Sequence, residues 1–268
     1  MKFVVGPPWL RVTVKAGDAA LARRLAHQLG HAGAEQGAEA EGPTLEVLPA
    51  ADISGSGGVG FELKGNIFRG KDKGGEGWYD AAEGKGEFSL TPGGGLFFQT
   101  VLRQIFFWES YRKGGVVLHS VAFADGDDVI VSCGPSGSGK STLAGVLRTR
   151  FTVYTDDMNV VDGDGRVWAL PFRGTGVERV NAGGGLLRAL AFHRPGREFK
   201  AEPLEPADAA RELWPSVFIP EPAGAKLKGC TFERVAALVG RAAAFVVDVP
   251  LEENAAGLGF SKILKEVA

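Results

Sequence analysis

The stretch CGPSGSGKST, Cys133 to Thr142, is the most informative part of the second half of the chain. It contains GPSGSGKS, which satisfies the pattern G-x-x-x-x-G-K-[ST] in full. The apolar run DVIVSC precedes it and predicts a strand, and KSTLAGVLRTR follows it with helical spacing. Pattern and context together predict a loop that binds the phosphates of a nucleotide.

The chemistry of phosphate binding explains the composition of this loop. Glycine has no Cβ, so successive backbone N–H groups can turn toward the phosphates, and the helix that follows presents its positive end to the same anion. We expect Lys140 to reach the β- and γ-phosphates and the Ser141 hydroxyl to bind Mg²⁺. The predicted nucleotide-binding residues are Gly134, Ser136, Gly137, Ser138, Gly139, Lys140, Ser141 and Thr142.

Two adjacent carboxylates follow the next predicted strand. The run VYTDDMNVV places Asp156 and Asp157 sixteen and seventeen residues beyond Lys140. If this strand runs parallel to the one before the loop, both end at the same edge of the sheet, which brings the acids to the phosphates. One carboxylate can then hold Mg²⁺, directly or through water, while the other accepts the proton of an attacking hydroxyl. A helix cap or a turn is the alternative explanation for either aspartate.

Two common classes of phosphate-loop protein are excluded by the residues around the loop. An ABC-type ATPase carries LSGGQ downstream of its loop, whereas the faint match ISGSGG (53–58) lies upstream. A GTPase carries a base-reading motif of the NKxD type, and the sequence has none.

The pattern of the whole chain predicts two parts. After residue 114 strands and helices alternate, which predicts an α/β domain around a mixed sheet over residues 114–268. Its first two strands, VVLHSVAF and DVIVSC, are joined by ADGDD, an Asp-Gly turn that predicts a hairpin. Residues 1–113 predict a strand-rich α+β segment of unknown role. It contains a helix in DAALARRLAHQLGHAG (18–33), for which Asp18 is the expected cap, and an amphipathic helix in GLFFQTVLRQIFFWESYRKGG (95–115). Glycine-rich stretches at 54–60, 69–88 and 91–95 predict flexible loops or loose hairpin turns.

Composition limits the classes of partner. The net charge of −2 and the pI near 6.1 argue against a general nucleic-acid binder. No apolar run approaches the roughly 20 residues of a membrane span, and the N-terminal residues do not resemble a secretory signal. The two cysteines do not form a disulfide framework. We therefore expect a cytoplasmic protein that binds neither nucleic acid nor membrane. The oligomeric state stays open, a homo-oligomer included.

The run GGVVLHSVAFADGDDVIVSCGPSGSGKSTLAGVL, followed by FTVYTDDMNVV, resembles the catalytic domain of the HPr kinase/phosphorylase family. It is more similar still to the smaller HPr-kinase-like proteins, which include serine kinases and kinases of peptide-biosynthesis clusters. The resemblance covers about residues 114 to 180. It implies a phosphoenolpyruvate carboxykinase-like P-loop core with mixed β-sheets, and a kinase that uses ATP and Mg²⁺.

The resemblance also implies roles for individual residues. Asp156 would be the general base that deprotonates the acceptor hydroxyl, Asp157 an accessory acid that binds Mg²⁺ together with Ser141, and His119 a group that assists around the phosphate or the base. FRGTG (172–176) is similar to the family's E-x-R-G-x-G stretch. This makes Arg173 a candidate for stabilising charge on the transferring phosphoryl group, with a surface turn residue as the alternative.

Several positions depart from the family pattern. Pro171 stands where the family has a metal-binding glutamate, and Glu178 is the nearest substitute along the chain. Ser120 replaces a glycine after His119, and Thr142 replaces a glutamate after the loop serine. The segment that engages the HPr protein is not recognisable, so HPr is not the expected acceptor.

The sequence therefore predicts an ATP- and Mg²⁺-dependent kinase that phosphorylates a hydroxyl of a peptide, protein or small molecule, with serine the favoured acceptor. One alternative is a carboxykinase-like phosphotransferase, which would need a metal site richer in His, Lys and Asp than His119 and His193 provide. The other is a non-catalytic nucleotide-binding regulatory module, which the missing glutamate favours. The acceptor, and ATP against GTP as donor, stay open.

Overall fold

The computed structural model describes residues 1–29, 41–51, 53, 60–135, 137–219, 224–250 and 252–267. Within these residues it contains two mixed β-sheets and six α-helices. The chain divides into two compact units, one over Met1–Glu109 and one over Ser110–Ile219 with Gly224–Ala268. The division falls a few residues before the boundary at residue 114 that the sequence predicts. The mixed α/β character expected for the fold is confirmed.

The first unit is built on a seven-stranded sheet with the order β1-β2-β3-β7-β6-β5-β4. Strands β2, β3 and β7 run parallel to one another, and the other neighbours pair antiparallel. Its elements are β1 (Lys2–Val5), β2 (Val12–Ala16), α1 (Ala19–Gln28), β3 (Thr44–Pro49), β4 (Gly60–Lys64), β5 (Ile67–Asp72), β6 (Gly75–Asp80), β7 (Lys85–Leu90) and α2 (Gly95–Arg112).

The glycine-rich stretch 69–88 forms antiparallel strands joined by hairpin turns at 73–74 and 81–84, so the prediction of flexible loops there is wrong, whereas hairpin turns are present. Its glycines lie opposite phenylalanines on neighbouring strands: Gly70 pairs with Phe61 and Gly77 pairs with Phe88. A Cβ on Gly70 would meet the Phe61 ring at 2.7 Å, and one on Gly77 would meet the Phe88 ring at 2.5 Å. The glycines therefore make room for aromatic rings that cross the sheet, a use of strand glycine that composition alone does not reveal. Residues 54–59 of the first glycine-rich stretch lie outside the described part of the chain.

The two helices of this unit lie where the sequence places them. Asp18 caps α1, because its carboxylate accepts a hydrogen bond of 2.7 Å from the Leu21 N–H. In α2 the rings of Phe97, Phe98 and Phe106 are buried, so they belong to the core of this unit. No helix within the described residues, α2 included, is long and apolar enough to cross a membrane.

The second unit is built on an eight-stranded sheet. The pairings β8–β9, β9–β13, β13–β12, β12–β11 and β11–β8 close a circuit, and β13 runs parallel to both β9 and β15. Its elements are β8 (Val116–Asp125), β9 (Asp128–Cys133), α3 (Lys140–Leu147), β10 (Thr152–Thr155), β11 (Met158–Val161), β12 (Arg166–Ala169), β13 (Gly183–Pro195), β14 (Lys200–Pro203), α4 (Pro206–Leu213), α5 (Ala225–Val239), β15 (Ala243–Val249) and α6 (Glu253–Val267).

Alternation along the strands gives this sheet two apolar faces. On β8, Ala122 and Ala124 belong to the core cluster that contains residues of α4 and α5, whereas Val121 and Phe123 belong to the cluster of α3 and α6. The period of two is the strand repeat, and helices on both faces explain why the strands read as almost continuous apolar runs. The sheet therefore holds the end of β9, where the phosphate loop begins, between two packed layers.

Candidate phosphate-binding site

The loop between β9 and α3 has the backbone conformation that its sequence demands. Gly137 and Gly139 have φ of +80° and +94°, in the left-handed region that favours glycine. A Cβ on Gly134 would lie 2.6 Å from the Ser138 hydroxyl oxygen. Because α3 begins at Lys140, its first N–H groups follow the loop directly and give its amino end a preference for anions.

The side chain of Lys140 is folded into the loop. It is 7% exposed, and its Nζ donates hydrogen bonds to the carbonyl oxygens of Gly134 (2.8 Å) and Pro135 (2.9 Å). Burial lowers the pKa of Lys140, while Cys133 and Asp157 act in the opposite direction. The negative charge of Asp157 therefore favours the charged form of this lysine.

The topology brings the acidic pair to the level of the loop. Strands β9 and β10 both pair antiparallel with β8, so they run in the same direction on its two sides. Strand β10 ends at Thr155, and β11 begins at Met158, which pairs with His119 of β8. Asp156 and Asp157 are the two residues between these strands. Since Ser120 pairs with Cys133, His119 lies level with the start of the phosphate loop.

Asp156 is tied to the turn at 173–176. It is 2% exposed, and its two carboxylate oxygens accept hydrogen bonds of 2.8 Å from the N–H groups of Gly174 and Gly176. A Cβ on Gly174 would lie 2.5 Å from the Asp156 carboxylate, and one on Gly176 would collide with the backbone of Ser141. The aspartate therefore anchors a glycine turn that packs on the first turn of α3.

Asp157 and His119 are more accessible than Asp156. Asp157 is half-buried and His119 is exposed, and the Ser120 N–H donates to the Asp157 carbonyl oxygen at 3.0 Å. The buried Asn159 ties the chain after the acidic pair to β8. Its amide Nδ2 donates to the carbonyl oxygen of Ser120 (2.9 Å) and to the hydroxyl oxygen of Ser120 (3.1 Å). Sequence reasoning missed Asn159, although it lies two residues after the acidic pair.

Arg173 and Glu178 lie on the surface of the same region. Arg173 is exposed, and its Nη1 donates to the carbonyl oxygen of Glu178 at 3.1 Å. The Glu178 carboxylate accepts from Arg148 Nη1 at 3.3 Å, with 91% of its side chain exposed. Glu178 is thus engaged by an arginine at the end of α3, and its role as a substitute metal ligand stays a prediction.

His193 is the main residue of the site that sequence reasoning missed. It lies near the end of β13, and its neighbour Phe192 pairs in parallel with Cys133, the last residue of β9. Its Nδ1 is 2.8 Å from the Ser132 hydroxyl and its Nε2 is 3.2 Å from the Ser138 hydroxyl. The buried imidazole therefore links the strand beneath the loop to the loop itself. His193 could have been found from its position near the end of an apolar strand, because neighbouring parallel strands end at the same edge of a sheet.

The buried imidazole predicts a pH-dependent stability. Burial, and next the positive charge of Lys140, lower the pKa of His193 to about 4 from an ordinary value of 6.5. Between these values the unfolded chain binds more protons, so stability rises with pH across that window. From pH 7 to pH 4, we expect the wild type to lose about 3 kcal/mol more than His193→Gln. Urea unfolding at a series of pH values measures this difference, and parallel curves would contradict it.

The topology thus places Lys140 and the acidic pair at the same edge of the sheet, and hydrogen bonds join Asp156 to the turn that carries Arg173. Ser141 is half-buried and Thr142 is exposed at the start of α3, while Ser136 lies outside the described residues. Across the described ranges, no group of three or more His, Cys, Asp and Glu side chains is arranged to hold a metal ion.

Comparisons with known proteins do not assign this chain to a family. No protein-family model matches it, and a search of curated proteins found no related sequence.

Proposed function

We propose that this protein is a kinase of the HPr-kinase-like kind, with a phosphoenolpyruvate carboxykinase-like P-loop core, that transfers the γ-phosphoryl group of a nucleoside triphosphate to a hydroxyl. The observation that carries the proposal is the common edge of the sheet: Lys140 lies buried at the start of α3, and the acidic pair follows β10, which runs in the same direction as β9 on the other side of β8. A loop for phosphates explains the lysine, and an acid beside that loop is what phosphoryl transfer adds to binding.

Positioning and charge neutralisation do most of the work in such a reaction. The loop N–H groups would hold the phosphates, and Lys140 would leave the carbonyls of Gly134 and Pro135 for the β- and γ-phosphate oxygens. Two carbonyl acceptors keep the ammonium in place without the nucleotide. The lysine therefore exchanges hydrogen bonds to neutral carbonyl oxygens for hydrogen bonds to anionic phosphate oxygens.

The residues at this edge fit a magnesium ion that arrives with the nucleotide. Mg²⁺ in nucleotide sites keeps several waters and takes one or two protein oxygens besides the phosphates, so a cluster of three protein ligands is not required. The Ser141 hydroxyl and the Asp157 carboxylate are oxygen donors of that kind, and both residues are half-buried. Bound there, the ion would neutralise charge on the transferring group.

The assignment of Asp156 as general base carries a structural condition. Each of its carboxylate oxygens accepts one N–H from the turn at 173–176, and the residue is buried. A carboxylate oxygen can accept a second hydrogen bond, so the group can take a proton only if the acceptor hydroxyl reaches it when that turn moves. Asp157 is the more accessible alternative for the same role.

The test is the consumption of ATP. We expect MgATP to be converted to ADP by the wild type and at least 100-fold more slowly by Asp156→Asn. ATP binding is measured in the same samples. The second candidate, a non-catalytic nucleotide-binding module, is favoured by Pro171 in place of the expected glutamate. It predicts tight binding with no ADP formed by either protein.

A further inference from the structure

The direction of a bound triphosphate follows from the two sides of β9. Asp156 and Asp157 lie on the β10 side of the loop, so the γ-phosphate must face that side if the proposed transfer takes place. The nucleoside must then lie on the opposite side, over the ends of β13 and β15. Strand β13 pairs in parallel with β9 on one side and with β15 on the other, so all three strands end at the edge of the sheet where the phosphate loop lies. Open α/β sheets form their ligand crevices at this carboxyl edge.

A cavity of about 210 Å³ lies on that side. The glycines of the phosphate loop and Thr142 form the wall nearest the phosphates. Leu143 and Val146 of α3 line it from one flank, and Val249 and Pro250 at the end of β15 line it from the other. The cavity has room for one heteroaromatic ring system, and its lining is mostly apolar, as is usual for organic ligands.

We propose that this cavity binds the base of the phosphoryl donor, an inference that rests on the proposed nucleotide-binding function. Val146 lies one helical turn beyond Thr142, so both line the cavity from the same face of α3, Thr142 next to the loop and Val146 farther from it. The flat faces of the base lie against the aliphatic side chains and the proline rings. The ends of β13 and β15 thereby become the nucleoside-binding edge of the sheet.

The lining also defines how well bases are distinguished. Guanine is recognised by side-chain carboxylates or amides that accept its ring and exocyclic N–H groups, and adenine by groups that pair with its amino edge. The side chains that line the cavity include neither a carboxylate nor an amide, and Arg194 is the one charged group among them. The site therefore takes purine nucleoside triphosphates by shape and apolar contact. ATP and GTP should bind within about fivefold of each other.

The test compares three ligands by calorimetric titration: MgATP, MgGTP and magnesium tripolyphosphate, which lacks a base. The variant Val146→Trp fills the cavity without adding charge. Val267→Trp is its matched control, since Val267 is also a partly buried valine on a helix, packed against the same core and remote from the cavity lining. We expect Val146→Trp to weaken both nucleotides about tenfold and to leave tripolyphosphate within twofold of wild type. The control should leave all three unchanged.

The possible failures can be told apart. Equal changes in affinity for all three ligands, or no change for any of them, would overturn the assignment of the cavity to the base. Phosphate binding by the loop would be unaffected by that result. A preference above 100-fold for one purine would overturn the claim that base edges are not read. If neither tripolyphosphate nor the nucleotides bind wild type, the proposed function itself fails. Thermal unfolding of each variant shows whether a loss of binding comes from a loss of fold.

Discussion

Replacing Lys140 by methionine is expected to reduce the affinity for MgATP by roughly 100-fold, because a charge-assisted hydrogen bond to phosphate contributes about 1.5–3 kcal/mol. Methionine keeps the length and the apolar stem of the side chain and removes the ammonium. Calorimetric titration of the variant and the wild type with MgATP measures the loss. An affinity within threefold of wild type would mean that the loop does not hold phosphates through this lysine.

The same substitution separates binding from folding. The ammonium of Lys140 is desolvated, which lowers its pKa, and its two hydrogen bonds to loop carbonyls offset that cost. Removing the charge and the bonds together should change the free energy of unfolding by no more than about 1 kcal/mol. The control is Lys262→Met, which removes the same charge from an exposed position on α6 and should change neither quantity.

The second large effect is a difference between the two aspartates in how their substitution changes stability and ADP formation. Asp156→Asn replaces one acceptor oxygen by an NH₂ group that faces the N–H of Gly174 or Gly176, leaving a buried donor without a partner. This should reduce the free energy of unfolding by about 1–3 kcal/mol and also reduce ADP formation. Asp157→Asn should reduce ADP formation by a similar factor with little loss of stability, because this side chain is only half-buried and its proposed role is to bind Mg²⁺.

Chemical unfolding and ADP formation, measured on both variants, give the two readouts. Asp164→Asn is the matched control, an exposed aspartate in the turn between β11 and β12 that should alter neither. If Asp157→Asn is as active as wild type while Asp156→Asn loses activity only because it unfolds easily, neither acid takes part in the transfer and their proposed catalytic roles are wrong. Raising the Mg²⁺ concentration should partly restore Asp157→Asn and not Asp156→Asn, since the proposed function assigns the ion to Asp157 and not to Asp156.

The features that sequence predicts well are those that depend on neighbours along the chain. The Asp-Gly turn at Gly126, with φ of +63°, joins β8 and β9 as a hairpin, and the glycine loop leads from β9 into α3 as the motif requires. Asp18 caps α1 for the same local reason. In each case a few consecutive residues contain both the signal and the structure that it specifies.

Features that depend on pairing between distant segments were not predictable. Gly77 lies in a strand because Phe88 on the next strand fills the space above it, which the composition of 69–88 hides. The short strands Lys2–Val5 and Lys200–Pro203 have too few residues to show a period. The bonds that fix Asp156 depend on where the turn at 173–176 folds back, and a motif does not record that position.

The role of His193 depends on both kinds of feature, the local sequence and the pairing of distant strands. A histidine that ends an apolar strand is usually a core residue, and its role depends on β13 lying next to β9 in parallel. Once that pairing is known, the contact with Ser138 follows from the common edge of the two strands. The strand order of the sheet, more than any single residue, was the missing information.

The most direct test of the central claim is a phosphorus NMR time course of MgATP with the wild-type protein. Serine, glycerol and a serine-containing peptide are present as hydroxyl acceptors, and water can accept the phosphoryl group if none of them does. We predict that the γ-phosphate resonance is lost and that a phosphomonoester or inorganic phosphate appears, at a rate that falls at least 100-fold in Asp157→Asn. ATP resonances that shift on binding, with the triphosphate intact in every mixture, would contradict a kinase and leave a nucleotide-binding module.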